Sequence, residues 1–446
     1  MFYRFTIREC FQLSGQKTPQ IPPISGHPSL TTPAPPQVTV VAKPLHIAVI
    51  TSRPPLPMTC ADQMTVAHWL AFLSARGHAV ELFALHDAPI EAAASAWLND
   101  HCHAVHWFHR PRWRGILGEA LGWLQGLPLQ VGLFQHGPQT AAIRAAADRF
   151  DLLYVYYIRS AEAVRGLRSP PRVLAMQLSQ TLNIERMLAN FRTRRERWLY
   201  RLELPRVRAY EARAWQRFTQ TVLIGQADLY AVEAACAKAR QPQINNAVLI
   251  PHGADLSIPP ADPAMQEPAT VLFLGVLATN TNVEAVLWFC REVWPLVRRT
   301  RPNARFLVLG RRPRAVIQAL DAVDGVEIVG EVDDPAPYLA RAAVAVNPVK
   351  AGAGMQNKLL DYAAAGKAIV ATTIANEGIG LPPGDAALIA DSPQDFAAAV
   401  ISLMDDQAER RRLGQAARDF VEAGWSWEAW FLRLEATLYE TAGIEP

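Results

Sequence analysis

Lys358 and Asp361 stand three residues apart, just after the small-residue run Ala351-Gly352-Ala353-Gly354. A helical register over about 356–365 puts both on roughly the same face. An ammonium at a helix start is unfavourable for the helix itself, where the dipole is positive, so an anionic partner is the natural inference. Glycines before it let that anion approach unpaired backbone N–H groups. The carboxylate one turn on could accept hydrogen bonds from sugar hydroxyls lying behind a diphosphate. The competing reading is a plain surface helix whose Lys358–Asp361 pair is a solvated contact.

Those residues need a frame. Val344 to Val346 is apolar and reads as a buried strand. Leu359, Leu360 and Ala363 have core spacing on the helix that follows. Gly366 suits a left-handed residue just past its last turn. Ala368 to Ala371 reads as the next strand. Strand, glycine loop, helix and strand make a parallel βαβ unit with its loop at a strand's carboxyl end.

The stretch VNPVKAGAGMQNKLLDYAAAGKAIVAT resembles the donor-binding signature of the retaining family-4 glycosyltransferases. Their common form has two glutamates with seven residues between them. Here Ala353 stands for the first and Asp361 for the second. A subset reads G-x-x-N-K-x-x-E-x-x-A-x-G, and Gly354, Asn357, Lys358, Asp361, Ala364 and Gly366 fit it closely. The resemblance implies an α/β chain with two Rossmann-like domains facing a cleft (GT-B) and a C-terminal helix crossing back to the first domain. It implies sugar transfer from a nucleotide-sugar with retained configuration. Loop groups at Gly352, Gly354, Met355, Gln356, Asn357 and Lys358 would hold the diphosphate, and Asp361 the ribose. Gly275, Gly310 and Val332, at the ends of other strands, would line the nucleotide pocket. Lys358 and Arg159 are the catalytic candidates. Val276 and Thr281 replace the arginine and lysine that usually grip the diphosphate, so Lys358 must do more of that work, or Arg311 or Arg312 reaches in.

Composition sets limits. Of 446 residues, 50% are hydrophobic and 19% charged, ordinary for a globular chain with a large core. The formal charge is +3, and Arg4, Arg8, Lys17 and Lys43 against Glu9 account for it. A near-neutral body does not indicate nucleic-acid binding. Five scattered cysteines form no CxxC pair and no zinc spacing, so they read as reduced thiols of a cytoplasmic protein. No metal and no cofactor is expected; Asp333-Asp334 reads as an ordinary turn. No apolar run reaches the roughly 18 residues of a membrane span, and the N-terminus lacks an apolar signal-peptide region. Seven prolines between Pro19 and Pro36 mark a disordered tail.

In the amino-terminal half, His46 to Ile50 opens as a buried strand. A helix over Met64 to Arg76 and a strand over Ala79 to Leu85 follow. Phe150 to Tyr157 is another strand, and Arg159 just past it is placed to meet a phosphate or an anionic acceptor, or else is a surface arginine. Trp107 to Arg114 (WFHRPRWR) mixes basic and aromatic residues. It reads as a connection between elements, with contact to lipid headgroups as the alternative. The arginine-rich region Asn183 to Trp215 reads as a solvated helical face with internal ion pairs, with an anionic membrane as its alternative. His252-Gly253-Ala254-Asp255 resembles the family's turn into the second domain.

The expected division is a tail over 1–43, a first domain over 44–222, a second over 223–424 and a crossover helix over 425–446. Expected partners are a nucleotide-sugar donor, a glycan or lipid-linked acceptor, and the inner face of a membrane as a peripheral contact. Two rivals are a nucleotide-sugar epimerase of the same architecture and a binding protein that has lost turnover.

Overall fold

The computed structural model describes residues 43–58, 61–188, 194–332 and 334–445. The Pro-rich tail up to residue 42, together with Asp333, lies outside them. Two compact units are formed, one from 43–251 with 428–445 and one from 252–427.

The first unit is built on seven parallel strands: β1 (His46–Thr51), β2 (Ala79–His86), β3 (Ala104–His109), β4 (Leu152–Tyr156), β5 (Arg172–Gln177), β6 (Gln220–Leu223) and β7 (Ala247–Leu249), in the order β3-β2-β1-β4-β5-β6-β7. The near-continuous apolar runs Ile47 to Ile50 and Val173 to Met176 are buried, as strands covered on both faces must be. The second unit has six parallel strands: β8 (Glu267–Leu274), β9 (Arg305–Leu309), β10 (Val326–Gly330), β11 (Ala342–Asn347), β12 (Ala368–Ala371) and β13 (Leu388–Ile389), in the order β10-β9-β8-β11-β12-β13. Each sheet reverses its strand order once, between β1 and β4 and between β8 and β11. Open α/β sheets bind ligands beyond the carboxyl ends of the strands at such a reversal.

The unit boundary falls after Pro251, not at the expected 222/223. The reason is strand pairing: β6 is not the last strand of its sheet, because Thr221 to Leu223 pair onward with Ala247 to Leu249. The intervening helix Gln226–Lys238 therefore belongs to the first unit. Two further expectations change. Trp107 to His109 end β3, so the expected connection is half strand and half helix. The region from 183 to 215 is two helices, Gln180–Leu188 and Arg194–Ala214, separated by residues outside those described.

The terminal helix Trp427–Ala442 packs with the first unit through most of its length. Phe431 lies against Trp69 and Phe72, with ring centroids 5.2 and 5.5 Å away. Glu435 accepts two bonds from Arg76, at 2.9 and 3.0 Å, and one from His78 Nε2 at 2.8 Å. The Leu45 N–H donates to His78 Nδ1, which leaves the proton on Nε2. Burial alone would raise the Glu435 carboxyl, but the bonds from His78 and Arg76 outweigh it and hold it below its usual value. Glu435→Ala leaves His78 without its acceptor and is expected to cost about 3 kcal/mol. A thermal-unfolding midpoint that stays at the wild-type value would refute this.

Candidate functional site

The second unit's strand reversal lies between the ends of β8 and β11. Gly275 follows β8 and Gly310 follows β9. The Gly275 N–H donates to the Leu309 carbonyl at 3.0 Å. Gly310 has φ +151°, and a methyl group there would overlap the Gly275 carbonyl oxygen, so only glycine fits. The Gly310 N–H in turn donates to the Gly330 carbonyl at 2.7 Å, bringing the ends of β9 and β10 into line.

From β11 the chain passes through Gly352 (φ +135°) and Gly354 (φ +76°) before entering the helix Lys358–Ala364. The helix is shorter than the register suggested and begins at Lys358, with Asn357 before it. A helix of 7 residues has little dipole to offer, so the positive character of the site rests on Lys358 and the loop amides. Tyr362, on the buried face, accepts the Leu274 N–H at 2.7 Å and locks the helix to the end of β8.

Lys358 is buried. Its Nζ donates to Asn282 Oδ1 at 2.7 Å and to Gln356 Oε1 at 3.3 Å, and lies 4.8 Å from the centre of the Phe273 ring. Both oxygens are neutral, and no carboxylate among the described residues is bonded to this ammonium. Burial pushes Lys358 down to about 7. Asp361 is partly exposed, and its carboxylate makes no hydrogen bond among the described residues. Burial, then the Asp255 carboxylate, push it up to about 7, against the pull of Lys358. The corner thus holds a cation with neutral partners and an acid with unused acceptor capacity. An anion bearing hydroxyl groups would suit both.

The expected site residues divide as follows. Gly275, Gly352, Gln356, Asn357 and Lys358 come together. A methyl group on Gly275 would meet Asn282 and the Lys358 Cε, and one on Gly352 would touch Thr281 at 3.4 Å. Gly354 and Met355 form the next layer, closed by Gly378, whose added methyl would meet Met355 Cγ at 3.0 Å. Gly310 joins through Gly275. Val332 follows the edge strand β10, just past Gly330, whose carbonyl accepts the Gly310 N–H. The loop carrying Arg311 stands beside the loop after β8, its carbonyl accepting from the Leu277 N–H at 2.9 Å.

Two residues of the site were not singled out for these roles from the sequence. Asn282 turns its amide to bridge the Val276 carbonyl, at 3.0 Å, and Lys358. It stands next to the position where a lysine was missing, and that adjacency was the available signal. His252 Nδ1 lies 2.9 Å from the Asn357 amide nitrogen, and its ring stacks on Trp427. Their separation of 105 residues leaves no local trace of this pairing.

Arg159 belongs to the first unit, at that sheet's own strand reversal. The chain turns at Tyr157 (φ +72°), and the Arg159 side chain is mostly covered, 11% exposed, rather than on the surface. It donates to Ser52 Oγ at 2.6 Å and to Asp62 Oδ2 at 2.7 Å and lies over the Tyr157 ring. Arg53 adds a second cation 3.3 Å from Asp62. One carboxylate therefore faces two guanidinium groups. Among the described residues no cluster of His, Cys, Asp or Glu is arranged to hold a metal ion.

Comparison with known proteins gives a family for part of the chain. Residues 268–406, from β8 to the helix Pro393–Asp405, match the family described as glycosyl transferases group 1. An uncharacterized 44.6 kDa protein in the cps region of Klebsiella pneumoniae is 20% identical over 396 residues, covering 85% of this chain and 96% of the relative. A GDP-mannose-dependent monoacylated alpha-(1-6)-phosphatidylinositol monomannoside mannosyltransferase of Corynebacterium glutamicum is 30% identical over 149 residues, 31% of this chain and 39% of that protein. Among solved structures, sucrose-phosphate synthase from Thermosynechococcus elongatus superposes with a TM-score of 0.65 at 17% identity, covering 89% of this chain and 98% of that one. HepE of Anabaena, solved in complex with UDP and glucose, superposes with a TM-score of 0.62 at 14% identity, covering 89% and 100%. The two parallel-sheet Rossmann-like units match the fold of GT-B structures, and residues 268–406 match the glycosyltransferase group 1 domain.

Proposed function

We propose that this chain transfers a sugar from a nucleotide-sugar donor to a glycan or lipid-linked acceptor, with retention at the anomeric carbon. The observation that carries the reading is the buried Lys358 ammonium, held only by neutral amide oxygens at the strand reversal of the group 1 domain. In this reading the donor diphosphate lies over the Gly352–Asn357 loop. As the bond from the sugar to the diphosphate breaks, negative charge grows on the leaving oxygen. Lys358 and the loop N–H groups are already in place to meet it, which is how a preorganised site lowers such a barrier. Asp361 accepts from the ribose hydroxyls. With Lys358 supplying the charge, the step is proposed to run without a metal.

HepE was solved with UDP, and the corynebacterial relative is named for GDP-mannose. UDP and GDP are therefore the first probes. Raised unfolding midpoints with one of them would support the donor site, and no shift with any nucleoside diphosphate would overturn it. Proton NMR of the product of a matched donor and acceptor reports the anomeric outcome. Val276 and Thr281, uncharged where grip residues were expected, favour one alternative, a nucleotide binder without turnover. It predicts binding with no transfer.

A pH dependence follows. Free Lys358 loses its proton near 7, whereas a bound diphosphate would keep it charged. Nucleotide binding should therefore take up a proton above that pH. Affinity for UDP or GDP should fall by roughly tenfold per pH unit from about 7 to 9. Titration calorimetry in buffers of different ionisation enthalpy measures the proton directly. Lys358→Ala should abolish the uptake.

A further inference from the structure

In the first unit the helix Arg112–Leu124 is inside out. Its inner face is made of Gly115, Gly118 and Gly122 with the buried Glu119. A methyl group on Gly118 would come within 2.6 Å of the Gly132 carbonyl, and one on Gly122 within 2.7 Å of the Gly132 Cα. These glycines let the helix sit directly on its neighbour Leu129–Leu133. The large apolar residues point the other way. Trp113, Leu117 and Leu124 are 60, 51 and 78% exposed, and Ile116 and Leu121 continue the same stripe at helical spacing. A water-facing helix normally shows the reverse pattern, and a contiguous exposed apolar stripe marks an interaction surface.

A neighbouring helix extends the surface. Arg194–Ala214 meets the first helix near its end, with the Arg206 guanidinium 4.1 Å from the centre of the Trp123 ring. Towards its start, Trp198 is 63% exposed. Arg114, Arg194 and Arg201, on the same two helices, are exposed. Of the glutamates on these two helices, Glu119 and Glu203 are buried, and burial pushes both carboxyls up, Glu119 to about 7, while Glu196 is half-buried beside the exposed Arg194 and Arg195.

We propose that this face docks on an anionic lipid bilayer. Charge selects the occupant. A second copy of the same face would set arginines against arginines, whereas anionic headgroups complement them. Tryptophan, leucine and arginine side by side are the composition of helices that lie in a membrane interface, the apolar chains entering the acyl boundary and the guanidinium groups staying with the phosphates. No helix of the described residues is long and apolar enough to cross a membrane, so the contact is peripheral. This inference is independent of the donor site.

The test is sedimentation of the full chain with vesicles of phosphatidylcholine alone and of phosphatidylcholine mixed with phosphatidylglycerol. Wild type should pellet with the mixed vesicles and stay in solution with the neutral ones, and added salt should weaken the binding. The double variant Leu117→Asp with Leu121→Asp should lose about tenfold or more in partitioning. Its circular dichroism and its thermal shift with nucleotide should stay as in wild type. Arg114→Glu with Arg194→Glu and Arg201→Glu should reduce binding to anionic vesicles and leave the fold intact. Wild type that ignores both vesicle types overturns the proposal. So does a double variant that pellets like wild type. A wild-type dimer by light scattering that the double variant dissolves, without vesicle binding, would make a second copy the occupant and also overturn it.

Discussion

Lys358→Ala is expected to lower sugar transfer by about 10³-fold, the scale on which a preorganised charge at a leaving group acts. The variant removes the one cation bonded to Asn282 and Gln356 at the end of β8. It should also remove most of the thermal shift with UDP or GDP, because the same charge meets the ground-state diphosphate. Lys358→Arg should recover little, since a planar fork does not occupy the space of a compact ammonium between two amides. Folding should survive, because a buried ammonium with neutral partners contributes nothing favourable at neutral pH. Turnover within a few-fold of wild type for Lys358→Ala would exclude the diphosphate role.

Lys367→Met is expected to stabilise the protein, by on the order of 4 kcal/mol at pH 7. Lys367 is fully buried between the helix Lys358–Ala364 and β12, and its Nζ has no hydrogen-bond partner among the described residues. Burial, then the neighbouring Arg410 cation, push it down to about 7 from 10.5. The unfolded chain binds this proton up to about 10.5, and the folded chain gives it up near 7. The lysine therefore opposes folding in full below about 7, and progressively less as pH rises towards 10.5. Wild-type stability should climb through that window, and the gap to Lys367→Met should close over it. Thermal unfolding of both proteins from pH 6.5 to 9.5 measures the gap. A constant gap, or a less stable variant, would contradict the assignment.

Much of the frame was legible because parallel strands covered on both faces leave continuous apolar runs. His46 to Ile50, Val173 to Gln177 and Ala368 to Ala371 show this within a residue or two at each end. β3 escaped because it ends His-Trp-Phe-His with no fully buried residue and so resembles a basic, aromatic connection. The domain boundary was misplaced because β7 is only Ala247–Leu249, too short to announce itself. The glycine loop and Lys358 stood out through local spacing. The partners of Lys358 and Asn357 did not, since Asn282 and His252 come from 76 and 105 residues away. For Arg159, position after a strand was readable, but the pairing with Asp62 depends on the β1–β4 reversal and not on any local pattern.

The return of the last helix to the first unit has a consequence for how the protein is made. The ribosome finishes all of 252–427 before Phe431 and Glu435 emerge. Until then Trp69 and Phe72 on the nascent chain lack the ring that will cover them, and His78 and Arg76 lack their carboxylate. A transcript truncated between His252 and Trp427 therefore leaves two defects, a second unit cut short and a first unit with an open apolar seam for chaperones and proteases to find.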